Sequence, residues 1–274
     1  MLRKEFANVP GLTLPGIKIF MDGVVEFPSQ SAAMSKPYAK TNKMGDLLFT
    51  PAQFAAVATQ ADEAGLIVHV HSIGDLGTTT ALDGFAAARK ANGNSGLPDT
   101  ITHLQFVQPT DYDRFKALGV IASLQLFWAT AEEDSVDLVK PYVDPQLYPS
   151  MYPARSLLDA GATIAGASDW PVSTANPFQA IYQAETRKGP KGVLNIAEAM
   201  PRHAMLLAYT INAAKAINQQ ASLGSIEAGK LAAFTMVDRD VTTVPAEALR
   251  DTKVLGTMVD GQWVYGGAQA ASNR

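Results

Sequence analysis

Short apolar runs, each ended by a polar corner containing glycine, recur along the first two thirds of this chain. PGIKIFMDG is a β-branched run closed by a Gly turn, and LIVHVHSIGD repeats the design at residues 66–75. Between the two lie a long polar stretch, SQSAAMSKPYAKTNKMGDLL, and then TPAQFAAVATQADEAG, which has the marks of a helix: Thr50 as N-cap, Pro51 at the first helical position and Gly65 closing it. The cycle continues with a helix from Asp75 to Lys90, a strand in TITHLQFV, a helix from Thr110 through Leu118, a strand in GVIASLQL, a helix in PARSLLDAG and a strand in ATIAGASDW. Strands alternating with helices predict an α/β fold with a parallel sheet. The rhythm gives strands at Ile17, Val70, Thr102, Ile121 and Ile164, fewer than the eight an α/β barrel needs, so a barrel built from them is incomplete. After residue 180 the character changes. MPRHAMLLAYTINAAKAI is helical, whereas GSIEAGKLAAFTMVD and KVLGTMVDGQWVYGG alternate with Gly and Asp-Gly turns and predict a small β-rich appendage. The final AQAASNR is expected to be a loose tail.

Composition narrows the function classes. The 274 residues carry 22 Lys and Arg against 26 Asp and Glu, a formal charge of −4, and no Lys/Arg-rich run. Nucleic-acid binding and a polybasic membrane anchor are therefore not expected. No apolar run is long enough to cross a bilayer. MLRKEFANVPGL lacks the apolar stretch of a secretory signal, and there is no cysteine, so the expected location is the cytoplasm and thiolate metal sites are excluded. Acid–base or metal chemistry must then come from Asp, Glu, Lys and four histidines, His69, His71, His103 and His203.

Residues two apart on a strand share a face, so His69 and His71 point the same way, with His71 nearer the C-terminal end where barrel active sites form. His103 stands near the end of the next strand in THLQ, and Asp169 ends a later one in GASDWPV. Lys18 lies within the apolar run GIKIF, where a buried ammonium needs a partner. An ion pair with Asp22 or Asp75 and a catalytic role are both open for it. His203, on the later helical stretch, reads as a surface or packing residue. Trp128, Trp170 and Tyr182 fall in or near the loops after the last strands, where they either line a pocket or fill core.

Taken in order, GIKIFMDG, HVHSIGD, THLQFVQPTDYDRFKALGVIASLQ, RSLLDAGATIAGASDWPV, AYTINAAKA and GSIEAGKLA resemble the C-terminal part of the metal-dependent amidohydrolases of amidohydrolase family 3, the group that contains N-substituted formamide deformylase. The resemblance runs over residues 14–265. It implies a (β/α)8 barrel of the TIM type, of which this chain supplies strands four to eight within residues 1–222, and a β-sandwich portion at 223–267, followed by the tail 268–274. It implies metal ligands at Lys18, His71, His103 and Asp169, with Lys18 open to carboxylation and Asp169 also the catalytic general base. The implied cofactor is a divalent metal, zinc by the character of its ligands, in one or two copies, with one favoured in this chain. The implied reaction is hydrolysis of a C–N bond in an amide, formamide or cyclic amide by a metal-activated water, with a small molecule as substrate.

The resemblance is not complete. The first-strand His-x-His pair of the family precedes the part matched here. His69-Val70-His71 is not that pair, because SIGD follows it, THLQ comes one unit later and Lys18 comes before; His69 is then a deep barrel residue. Thr102 and Ala233 replace a Glu and an Asp common in the family. Arg187, in AETRKGP, matches a position near the pocket that could hold an anionic group, with solvated surface as its other reading. The alternative for the whole chain is an N-terminally shortened, inactive relative that binds a ligand or a partner chain, and homo-oligomerisation is open because an incomplete barrel exposes strand edges.

Overall fold

The computed structural model describes residues 2–267, so the tail expected at 268–274 lies outside the described residues. A short helix, α1 (Leu2–Glu5), precedes five strands: β1 (Gly16–Phe20), β2 (Ile67–Ser72), β3 (Thr100–His103), β4 (Ile121–Leu124) and β5 (Ile164–Gly166). These are the five runs expected from the sequence. They pair in parallel and in chain order, β1 to β5. Parallel neighbours need a crossover, and each crossover carries a helix: α2 (Pro51–Glu63), α3 (Asp75–Asn92), α4 (Tyr112–Leu118) and α5 (Ala154–Asp159). The product is an arc of an α/β barrel whose two outer strands, β1 and β5, each have one free edge among the described residues.

Helix α2 starts where its local chemistry says. Thr50 Oγ1 accepts from Gln53 N–H at 3.3 Å, and Gln53 Oε1 accepts from Thr50 N–H at 3.0 Å, a reciprocal capping box ahead of Pro51. At the far end Gly65 takes a left-handed φ of +64°. The helix packs on α3 through Phe54 and Phe85, both fully buried and edge-on at 5.6 Å. Gly84 makes room for that contact: a Cβ there would fall 2.2 Å from Phe54 Cδ1.

Alternation along β2 sorts the sheet into two faces. Val68 and Val70 join the core with Leu82 and Phe85 of α3, while His69 and His71 point to the concave side. The register sets Lys18, His69 and Thr100 in one row across that concave face, and Phe20, His71 and Thr102 in the row above. Here one expectation is corrected. Lys18 is exposed, not buried, because among the described residues no layer covers the concave face of β1; Phe20 on the same strand is 53% exposed.

Beyond β5, α6 (Pro177–Thr186) begins at Asn176, whose Oδ1 accepts from Phe178 N–H, and a short hairpin follows, β6 (Lys188–Gly189) and β7 (Gly192–Val193). The helical stretch is two helices, α7 (Arg202–Ala208) and α8 (Ile211–Ala216), separated at Tyr209 and Thr210. The β-rich appendage is a three-stranded antiparallel sheet of β8 (Phe234–Val237), β9 (Val254–Val259) and β10 (Gln262–Gly266), with a short helix, α9 (Ala246–Leu249), between the first two. Asp260-Gly261 makes the tight turn between β9 and β10, with both residues at positive φ. No helix is long and apolar enough to cross a membrane among the described residues.

Candidate active site at the carboxyl ends of the strands

His71 and His103 come together above the sheet, their rings edge-on with centroids 4.4 Å apart. Alternation alone would not do this. His103 pairs with Ser72, on the helix side of β2, and would follow Ile101 toward the helices. The backbone instead turns left-handed at His103 (φ +76°) and Leu104 (φ +52°), and the imidazole meets His71. Left-handed backbone at non-glycine residues is strained and concentrates at functional sites. Asp169, at the end of β5, shares the trait with φ +56°.

The His71 ring is oriented by its Nε2, 2.9 Å from the carbonyl oxygen of Gly23. A carbonyl only accepts, so Nε2 carries the proton and Nδ1 keeps its lone pair. His103 Nδ1 is buried and has no hydrogen-bond partner. An orphaned ring nitrogen beside a second imidazole is a costly arrangement unless something else takes its lone pair. Burial pushes the His103 imidazole down to about 3, with the His71, Lys18 and His69 charges adding to the effect, so it is neutral and free to donate its lone pair. His71 is shifted down too, chiefly by burial, against the opposing hydrogen bond to Gly23. Trp128 lies flat on the other side of His103, with centroids 5.8 Å apart and planes 12° from parallel.

Asp22 supports this arrangement from beneath. It is buried and accepts from the N–H groups of Ala33, Ile73 and Gly74 at 2.8–3.1 Å, tying the long loop after β1 to the end of β2. Its Oδ1 lies 3.7 Å from His71 Nε2. Burial raises its carboxyl to about 7 despite the three N–H donors. Asp75 is bound to Ser35 through both backbone and hydroxyl. Neither carboxylate is the partner considered for Lys18, whose ammonium sits 5.1 Å from the Phe20 ring centre. Partial desolvation lowers the Lys18 pKa, and attraction to Asp169 opposes it.

Thus His71 and His103 are adjacent, Lys18 and Asp169 are within electrostatic reach of them, and Asp169 is exposed. No three His, Asp or Glu side chains among the described residues are close enough to hold a metal ion. The two imidazoles fit a divalent cation as a pair of neutral nitrogen donors, one tautomerically fixed and one orphaned. His69 lies one row lower, hydrogen-bonded to Thr100 Oγ1, and burial brings it down to about 4. His203 is exposed.

Two readings of Arg187 are overturned together. It is neither a pocket anion clamp nor a solvated residue, but fully buried, donating to the carbonyls of Leu194, Met151, Tyr152 and Glu198 at 2.6–3.4 Å. Its left-handed φ of +51° turns it inward at the end of α6. Trp170 is 70% exposed, and Tyr182 lies under the Arg250 guanidinium. The sequence reading passed over Gln105, Gln125 and Glu132, all close to the histidines or to the space above them. Gln125 donates to Thr102 Oγ1 at 2.8 Å, beside His103. Its position directly after the strand, at the end of GVIASLQ, was the one available signal.

A model of the amidohydrolase family matches residues 4–265. The chain is 33% identical over 259 residues to Protein LONG AFTER FAR-RED 3 of Arabidopsis thaliana, covering 93% of this chain and 43% of that protein. It is 30% identical over 255 residues to N-substituted formamide deformylase of Arthrobacter pascens, covering 91% and 45%. The chain therefore spans about half the length of the curated relatives it matches. Among solved structures, an uncharacterized metal-dependent hydrolase from Pyrococcus horikoshii superposes with a TM-score of 0.73 at 24% identity, over 90% of this chain and 50% of that one, a likeness of fold. The sequential parallel strands, the histidines at their carboxyl ends and the family match over nearly the whole described chain agree: this chain belongs to the amidohydrolase family.

Proposed function

We propose that this chain carries part of the active site of a metal-dependent hydrolase that cleaves C–N bonds in amides, formamides or cyclic amides. The observation that carries the reading is the imidazole pair, with His71 fixed by the Gly23 carbonyl and His103 Nδ1 buried without a partner. His71 and His103 would hold the cation, with Asp169 and Lys18 closing on it from β5 and β1. Two neutral nitrogens plus oxygen donors favour zinc, which when bound polarises a substrate carbonyl and acidifies water. Asp169, exposed at the rim, takes a proton from the attacking water at its carboxylate oxygen and delivers it to the leaving nitrogen. Asp22 and the Gly23 carbonyl keep the His71 ring in place during that transfer. Residues 1–222 would form the barrel portion and 223–267 the β portion, and the absence of cysteine favours the cytoplasm.

The test is metal content by elemental mass spectrometry on dialysed protein, with circular dichroism on the same sample. The expected result is about one zinc per folded chain, falling toward zero in His71→Ala and His103→Ala with the fold retained. A folded, zinc-exposed sample without metal would overturn the reading. It would favour the second one, a ligand- or partner-binding relative without catalysis, for which the free edge of β1 and its exposed Phe20 speak.

A further inference from the structure

A cavity of about 300 Å³ adjoins the candidate site at Trp128. Its wall is built from residues just beyond those already named: Ile73 lies two past His71, Gln105 two past His103, and Val172 three past Asp169. Trp128 forms a further wall and stacks its ring on His103, so the cavity and the histidine pair share a partition. A molecule bound by the histidine pair would extend into this space.

The charge of the cavity is one-sided. Glu26, Glu132 and Asp134 line it, and no Lys, Arg or His does. The guanidinium of Arg187, which acts on Tyr152 in the same wall, donates to backbone carbonyls. Burial raises the carboxyl groups of Glu26 and Glu132, and the Asp134 charge raises both further, as expected of acids facing one another without a cation between them. A separate observation points the same way. Gln105 is 3% exposed and donates through Nε2 to Glu26 at 3.2 Å, while its Oε1 accepts no hydrogen bond from a described residue. The buried amide thereby presents an acceptor beside the carboxylates, in a cavity with no cationic side chain in its lining. Trp128 adds an aromatic face, to which a cation is attracted.

We infer that this cavity selects substrates bearing a protonated amino group, held by Glu26, Glu132 and Asp134 with the Gln105 carbonyl and the Trp128 ring. The inference rests on the proposed function for placing the substrate above the histidines, and it adds the chemical class. The cation sits among the carboxylates while the neutral amide of the same molecule reaches the histidine pair. An anionic substrate meets three carboxylates in the cavity lining.

Binding of three probes of one shape tests this by isothermal titration calorimetry: cyclohexylammonium, cyclohexanol and cyclohexanecarboxylate, with the whole chain at neutral pH and low salt. The ammonium is expected to bind on the order of tenfold more tightly than the alcohol, to weaken with added salt, and to outdo the carboxylate by more. Glu132→Gln and Glu26→Gln, which keep the side-chain shape and an acceptor, are expected each to reduce that preference severalfold with unchanged circular dichroism. Equal binding of ammonium and alcohol, preference for the carboxylate, binding of none of the three, or a preference untouched by both variants overturns the inference. Metal content on the same samples separates this from the proposed function: selection of the cation without metal uptake sinks only the metal-dependent reading, and metal uptake without selection sinks only this one.

Discussion

His103 is held neutral down to about 3 and His69 to about 4, both mainly by burial, against an ordinary value of 6.5. An unfolded chain at pH 5 would protonate both residues while the folded chain would not. Stability from these groups is therefore complete above pH 6.5 and is lost as pH falls toward 3–4, at up to about 1.4 kcal/mol per pH unit for each histidine. Urea titrations between pH 7 and pH 4.5 check this. Wild type is expected to lose stability faster than a His103→Asn variant, and parallel slopes would show that His103 does not titrate on unfolding. Asp22 works in the opposite sense. Its folded value, raised to about 7, makes its contribution full below the ordinary 3.8 and lost as pH rises through 7. Between about pH 4 and 6.5 the two effects oppose each other, and the two histidines outweigh the single Asp22 carboxyl.

At the scale of elements, the contact between α2 and α3 depends on a missing side chain. With 2.2 Å available before Phe54, Gly84→Ala is expected to cost about 1–3 kcal/mol by overpacking, although alanine is the better helix former and would stabilise an open position by about 1 kcal/mol. Thermal melts of the variant decide between the signs, and a raised midpoint would mean that the helices separate freely. The five strands and the Thr50–Pro51–Gly65 helix were legible in the sequence because each is specified by its own residues, through β-branched runs, caps and turns. Helix α6 was passed over although Asn176-Pro177 repeats the Thr50-Pro51 signal; its start sits in a loop rich in Ser, Thr and Asn. What failed depends on partners far along the chain. Lys18 looked buried because its own strand is apolar, yet burial is decided by the layer opposite. Arg187 looked like a pocket or surface charge, and the carbonyls that bind it come from residues up to 36 positions away. Within the candidate site, strand ends picked out His71, His103 and Asp169, but the left-handed turn that brings His103 to His71 leaves no trace in hydrophobic periodicity.

Across the whole molecule, protection should follow position in the sheet. Strands β2, β3 and β4 are paired on both sides, β1 and β5 on one, and the appendage strands β8 to β10 are mostly exposed or half-buried. Hydrogen exchange read by mass spectrometry is expected to be slowest in peptides covering β2 to β4, faster in β1 and fastest in β10. Uniform protection through β10 would show that the appendage and the arc open as one unit. The strictly sequential order of the arc also bears on how the protein is made. Each strand pairs with the one synthesised just before it, so every βα unit leaving the ribosome meets a finished edge and need not wait for a distant partner. Growth by accretion of this kind adds strands at one advancing edge, and it lets the loops that bear His71, His103 and Asp169 be laid down in turn on a sheet that already exists.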